Sequence, residues 1–264
     1  MRINVLGSSS AGNSTLVVAG STRVLIDVGF SARETRRRLA AIGEEASQLS
    51  AIIITHEHSD HIRGVPVLAR SLGIPVFMSR RTLEAWNALK SGETMATRHF
   101  IAAEESFQIG DLTFHPFAVP HDAVETLAFN IEARGVKVGF VTDLGYIPQM
   151  VAQRLKGADA IILEANHDLE MLRLGPYPWA VKQRVMSRHG HLSNEEMARF
   201  LREDFDGRAE YIMLIHLSQQ NNHPEIARLA AVEALTSRGP LLARDAERRV
   251  RISYPDRPSE WIEL

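Results

Sequence analysis

Apolar residues gather along this chain in short continuous runs more often than in strict alternation. Residues 3–6, 15–19, 23–27, 51–55, 75–78, 113–119, 126–132, 137–142, 160–164 and 211–215 each read as a strand. The clearest is Ala51-Ile52-Ile53-Ile54-Thr55, a run of the kind expected of a strand buried on both faces. A last strand is expected over 249–254. Helices fill the spaces between. Ser31 predicts an N-cap for a helix to about Ala41, with Glu34 three residues on completing a capping box, and Ser193 with Glu196 repeats the pattern. Further helices are expected just after Thr55, over 80–90 and over 224–236, and the stretch from 165 to about 204 reads as mainly helical. Arg134-Gly135 between two strand runs predicts a hairpin. Gly7-Ser8-Ser9-Ser10-Ala11-Gly12-Asn13-Ser14 reads as a turn-rich loop. Strands and helices mix throughout, which predicts an α/β chain of sheets covered by helices.

With 264 residues, 45% of them hydrophobic, the chain can bury a large core. No linker, repeat or low-complexity tract interrupts it, so one domain over 1–264 is expected. The formal net charge of −2 gives no global basic excess, so an anionic substrate would need a local patch or a metal to hold it. There is no cysteine, which excludes disulfides, thiolate metal sites and cysteine nucleophiles. No leader is expected at the N-terminus. No window reaches the roughly 18 apolar residues of a membrane span, so a cytoplasmic location without membrane partners is expected.

The chemistry concentrates in His56-Glu57-His58-Ser59-Asp60-His61, directly after the apolar run. Imidazole and carboxylate both ligate zinc, manganese and iron. A turn after Thr55 would split the ligands into two sets, His56 with His58 and Asp60 with His61. Two metals need more ligands than these four, and His121, Asp143 and His216 all stand where apolar runs give way to loops. His99, His115 and His223 lack such placement and are expected to be structural or on the surface.

The hexapeptide resembles the first metal motif of the metallo-β-lactamase superfamily, and the resemblance covers nearly the whole chain. It implies an αββα sandwich of two mixed sheets flanked by helices. It also implies two divalent metal ions, zinc or manganese. One would be held by His56, His58 and His121, the other by Asp60, His61 and His216, with Asp143 between them. Asp27 in Leu25-Ile26-Asp27-Val28-Gly29 looks like the aspartate that buttresses the metal loop. A hydroxide shared by the metals would be the nucleophile, with Asp60 orienting it and taking its proton.

Superfamily membership alone does not choose a substrate. Only about seventy residues separate Asp143 from His216, too few for a large inserted domain. The Gly7–Asn13 loop is similar to that of the bacterial WalJ/YycJ group. So are Leu163-Glu164-Ala165-Asn166-His167-Asp168, Gly175-Pro176-Tyr177-Pro178, Gly190-His191-Leu192-Ser193-Asn194, and His216-Leu217-Ser218 with Asn221-Asn222. That likeness implies a phosphodiesterase, a DNA exonuclease acting from a 5′ end. Ser9, Asn13 and His191 become candidate substrate contacts, and His191 a candidate catalytic residue. The helix after Ser193 presents an N-terminus suited to a phosphate oxygen, with Lys182, Arg184 and Arg188 upstream, although Ser-x-x-Glu is also plain helix capping. His167 either faces the site or caps the next helix, and the second is preferred here. Arg36-Arg37-Arg38 and Arg248-Arg249 read as solvated faces. Competing readings are hydrolysis of a small phosphodiester or a thioester, and a non-catalytic metal-dependent regulator. Oligomeric partners are left open.

Overall fold

The computed structural model describes residues 1–89 and 97–264. Lys90, the expected end of one helix, lies outside the described residues. Fourteen strands are described: β1 Arg2–Gly7, β2 Ser14–Ala19, β3 Thr22–Ile26, β4 Ala51–Ile53, β5 Val76–Met78, β6 Arg98–Phe100, β7 Phe107–Ile109, β8 Leu112–Val119, β9 Thr126–Ala133, β10 Val136–Val141, β11 Ala160–Glu164, β12 Tyr211–Ile215, β13 Val250–Ile252 and β14 Ile262–Glu263. They form two mixed seven-stranded sheets in the orders β14-β1-β2-β3-β4-β5-β6 and β13-β12-β11-β10-β9-β8-β7. The expected fold class, mixed sheets flanked by helices, is the one observed. Arg134 and Gly135 have φ of 52° and 81°, the pair of positive values that suits a two-residue hairpin turn.

The chain divides into two compact units, Met1–Ala118 with Ala123–Gly135 and Tyr254–Leu264, and Val119–Asp122 with Val136–Ser253. In the first, Leu16, Leu25 and Ile52 of the sheet share a buried core with Leu39, Leu68 and Trp86. These last three come from helices Ala32–Ala41, Val65–Leu72 and Arg80–Leu89. Ser31 caps the first of these helices by accepting the Glu34 N–H, as expected, while the Glu34 carboxylate turns to Arg37 and Arg38. Arg38 departs from the solvated-face expectation. It is buried over the Phe30 ring and donates to the carbonyls of Leu6 (2.8 Å) and Pro255 (2.9 Å), tying the end of β1 to the C-terminal segment. Arg249 likewise donates to the Gly207 carbonyl at 3.0 Å. A guanidinium whose fork matches backbone carbonyls leaves solvent when those carbonyls would otherwise stay unpaired.

In the second unit, β10, β11, β12 and β13 pair in parallel. β11 is buried at every position, which is why it reads as an unbroken apolar run. Helix Asn194–Glu203 buries Met197, Ala198, Phe200 and Leu201, spaced for one face. Helix Pro224–Thr236 has the bounds its sequence predicts, capped by the His223 side chain. Among the described residues no helix is long and apolar enough to cross a membrane.

Candidate functional site

Parallel strands deliver their C-terminal ends to one edge of a sheet, and in both units the ligand-type residues lie just beyond such ends. In the first unit β3 and β4 run in parallel. Asp27 follows β3 and Thr55 follows β4. The buried Asp27 carboxylate accepts the Thr55 N–H through Oδ1 at 2.9 Å. Its Oδ2 accepts the Thr55 hydroxyl at 2.9 Å and meets His61 Nδ1 at 2.7 Å. Thr55 Oγ1 also lies 2.9 Å from His56 Nδ1. One carboxylate thus orients two imidazoles, directly and through one hydroxyl, the outer support that metal-ligating histidines use. Burial pushes the Asp27 carboxyl up, and the pull of His61 does not fully offset it.

The rest of the hexapeptide is fixed from its sides. His58 N-caps the short helix Ser59–Ile62 that carries Asp60 and His61. Glu57 accepts the Val124 N–H at 2.8 Å, which gives the motif's non-ligand acid a structural task. The ring centroids of His56 and His58 are 4.6 Å apart, those of His56 and His61 4.2 Å. Asn13 donates to Asp60 Oδ2 at 3.2 Å, and its amide nitrogen is 3.1 Å from His61 Nε2. Gly29 sits where a Cβ would run into the Asp60 carbonyl, so only glycine lets these two loops touch.

In the second unit Asp143, Glu164 and His216 lie at the ends of β10, β11 and β12. Asp143 Oδ2 accepts the Thr142 hydroxyl at 2.7 Å, and Asp143 Oδ1 is 3.1 Å from His216 Nδ1. Glu164 is fully buried. Its Oε1 lies 2.7 Å from His191 Nδ1 and 3.1 Å from His216 Nδ1, and its Oε2 accepts the N–H groups of Leu144 and Leu192. His121 Nδ1 faces the Gly190 carbonyl at 2.9 Å, and its Nε2 is 3.8 Å from Asp143 Oδ1. Ligand-capable atoms of Asp143, Glu164, His191 and His216 all lie within 4.8 Å of one another. Burial raises the cost of charging Glu164, yet His191 and His216 hold it down at about 2. Burial pulls His191 down too, but Glu164 and Asp143 together raise it, while His121 is lowered by burial. The donor set, imidazoles with carboxylates and no thiolate, fits divalent zinc or manganese.

Among the described residues five non-glycine residues have positive φ, and three of them are Asp27 (60°), Asp143 (56°) and His216 (58°). Left-handed backbone is uncommon for such residues and collects where function fixes a side chain's direction.

The sequence candidates fall out as follows. His56, His58, Asp60 and His61 gather in the first unit with Asp27 and Asn13 around them. His121, Asp143, His191 and His216 gather in the second. Ser9 and Asn13 are buried and largely engaged in their own loop. Ser9 Oγ accepts the Ala11 N–H, and Asn13 Oδ1 accepts the Ser8 hydroxyl and the Ser9 N–H. His99 stacks on Phe77, His115 bonds Ser106 and His223 caps a helix, all structural placements. Glu164 was not among the sequence's site candidates; its signals were its place in the Leu163–Asp168 motif and an acid closing an otherwise apolar strand. The preferred reading of His167 as a helix cap is corrected. Asp168 is the N-cap and accepts the Met171 N–H at 2.8 Å, because the carboxylate one residue later stands at the boundary itself.

The chain matches the family model described as "Beta-lactamase superfamily domain" over residues 22–217. It is 35% identical to "Exodeoxyribonuclease YycJ" of Bacillus anthracis over 242 residues, 90% of either chain. It is 36% identical to "Exodeoxyribonuclease WalJ" of Streptococcus pneumoniae over 239 residues, 89% of this chain and 88% of that one. Among solved structures, the metallo-beta-lactamase fold protein YhfI from Bacillus subtilis shares the fold, with a TM-score of 0.69, 98% of each chain covered and 17% identity.

Proposed function

From the fact that this chain belongs to the beta-lactamase superfamily domain family, a superfamily of hydrolases, we propose that it is a dinuclear metal-dependent phosphodiesterase, and specifically a DNA exonuclease acting from a 5′ end. The observation that carries the hydrolytic reading is the cluster of buried Asp143, Glu164 and His216 with half-buried His191, ligand atoms within 4.8 Å of one another. The exodeoxyribonuclease relatives, alike over about nine-tenths of their length, support DNA as the substrate.

By the superfamily resemblance, His56, His58 and His121 would hold one metal and Asp60, His61 and His216 the other, with Asp143 a ligand to both. When bound, such metals supply a water acidified toward neutral pKa and positive charge against the phosphate oxygens. The protein groups do the rest. Asp27, through Thr55 and His61, keeps the imidazoles aimed. Asp60, steadied by the Asn13 amide, orients the attacking water and takes its proton. His191 gives Nδ1 to Glu164, which leaves Nε2 for a phosphate oxygen of the substrate. Arg184 and Arg188 flank the cluster in sequence. Arg184 faces Asp122 at 3.4 Å and Arg188 lies over the Tyr146 ring, where they supply the local positive charge that the whole chain lacks. The net charge of −2 keeps a small phosphodiester as the second reading.

The test is digestion of 5′-phosphorylated, end-labelled DNA with added manganese or zinc. The wild type should release nucleotides from the 5′ end, and Asp60→Ala should lower kcat by about 10²-fold or more, the usual weight of a positioned base. Equal rates for the two proteins would overturn the mechanism. Cleavage of small phosphodiesters alone would shift the substrate to the second reading.

A further inference from the structure

The motif Gly175-Pro176-Tyr177-Pro178 takes no part in the reaction above, yet it shapes a definite piece of the second unit. It joins the helices Leu169–Leu174 and Trp179–Val185. A Cβ at Gly175 would run into the Met171 carbonyl and the Asn221 side chain, so glycine lets the chain pass them closely. The two prolines fix φ at their own positions and hold the residue before each in extended backbone. Lys182 is buried and donates to the Arg173 carbonyl at 2.6 Å, which clamps the second helix to the end of the first. The second helix buries Lys182 and Val185 and leaves Trp179, Ala180, Gln183 and Arg184 to solvent. Trp179 is 63% exposed, so a large flat ring stands in water on a braced support.

The far end of this helix is fixed to the cluster. His191 donates its N–H to the Val185 carbonyl at 3.0 Å, and a Cβ at Gly190 would run into the carbonyls of Arg184 and Val185. The Gly190 carbonyl in turn faces His121 Nδ1 at 2.9 Å. Asp122 has Oδ1 3.2 Å from His121 Nε2 and Oδ2 3.4 Å from Arg184 Nε, so one carboxylate separates the Arg184 guanidinium from a proposed metal ligand. Trp179 lies about 7.5 Å from Arg184 along the helix axis, at 1.5 Å per residue. The charge is one-sided. From Met171 to Asn194 the chain carries Arg173, Lys182, Arg184 and Arg188 and no acidic residue, against a net charge of −2 for the whole. With Lys182 turned inward, the exposed cations are Arg173, Arg184 and Arg188.

We propose that this face is the track for the single strand that leads away from the cleaved phosphate, with Arg184 on a backbone phosphate and the Trp179 ring stacked on a base. Charge complementarity selects a polyanion, and the exposed ring selects an unpaired one, since in a duplex the base faces are already stacked on each other. The proposal rests on the exonuclease reading for the strand's direction, but the surface is testable apart from cleavage.

The experiment measures binding of a 3′-labelled, 5′-phosphorylated single strand by fluorescence anisotropy. Manganese is present, and the Asp60→Ala background keeps cleavage out of the readout. A second probe of the same length carries abasic sugars in place of nucleotides. The unaltered surface should bind the base-bearing strand about 5-fold or more tightly than the abasic one, the lower end for one stacked base. Trp179→Ala should lose that preference and Trp179→Phe should keep most of it. Arg184→Gln should weaken both strands alike and reduce the salt slope of log Kd by about 0.7, one phosphate's share for a single strand. Unchanged affinity in Trp179→Ala, or an equal loss on both probes, would overturn the stacking face. So would a variant that binds DNA normally but loses self-association in sedimentation, which would give the face to a second copy of this chain. Digestion by the wild type judges the other reading separately. If it cleaves no DNA the exonuclease reading fails, and the binding results still decide the track.

Discussion

Asp143→Ala should abolish nuclease turnover, with a fall of roughly 10⁴-fold, or about 5.5 kcal/mol of barrier. The carboxylate contacts His216 at 3.1 Å and lies within reach of both His121 and His191, so its loss touches three imidazoles. In the proposed arrangement it is also the ligand both metals share, and its removal should lower bound metal from two equivalents per chain. The fold should survive, because His216 keeps Asn166 and Glu164 as partners. The measurement is therefore triple: metal content, thermal melting and digestion of end-labelled DNA. Full metal loading with wild-type rates would sink the shared-ligand reading, and a collapse of the melt would mean the rate loss says nothing about catalysis.

Asp27→Ala should show the opposite balance, a loss of stability first. The carboxylate is buried, accepts two hydrogen bonds from Thr55 and pairs with His61 at 2.7 Å. Removing one member of a buried pair leaves the others stranded, which typically costs about 3–5 kcal/mol. Urea unfolding should give a lower midpoint with an unchanged slope, the mark of lost stability without altered compactness. Metal affinity should fall about 10- to 100-fold, since His56 and His61 lose their common orienting group. A variant within 1 kcal/mol of the wild type would show that Asp27 is a bystander at the metal loop.

The parts of the molecule that could be read from sequence are those where one local signal decides the outcome. Ile52-Ile53 makes a strand because a short apolar run has nowhere to go but between two layers, and Pro224–Thr236 starts where Pro follows a capping residue. The hexapeptide was legible because four ligand-type residues in six positions have few other uses. What escaped depends on neighbours far away in the chain. β6 is exposed at all three positions and β14 has only two residues, too little length for any periodicity to show. Glu164 is an ordinary strand-end acid until Leu144, His191, Leu192 and His216 converge on it. The helix after Ser193 has its predicted cap. A sequence shows which N–H groups a cap satisfies, but not where Glu195 and His167 will stand beside them. Arg38 likewise sits in a run of three arginines whose surface look hides one member's inward turn.

The left-handed conformations of Asp27, Asp143 and His216 carry an evolutionary consequence. Each of these residues holds a backbone shape that glycine adopts without penalty, at a cost of order 1–3 kcal/mol apiece. Glycine at Asp143 or His216 would relax the main chain and delete a proposed metal ligand in the same step. A laboratory selection that rewards heat resistance alone would therefore drift toward robust but inert proteins, and only a screen that also demands turnover would keep the aspartates and the histidine in place.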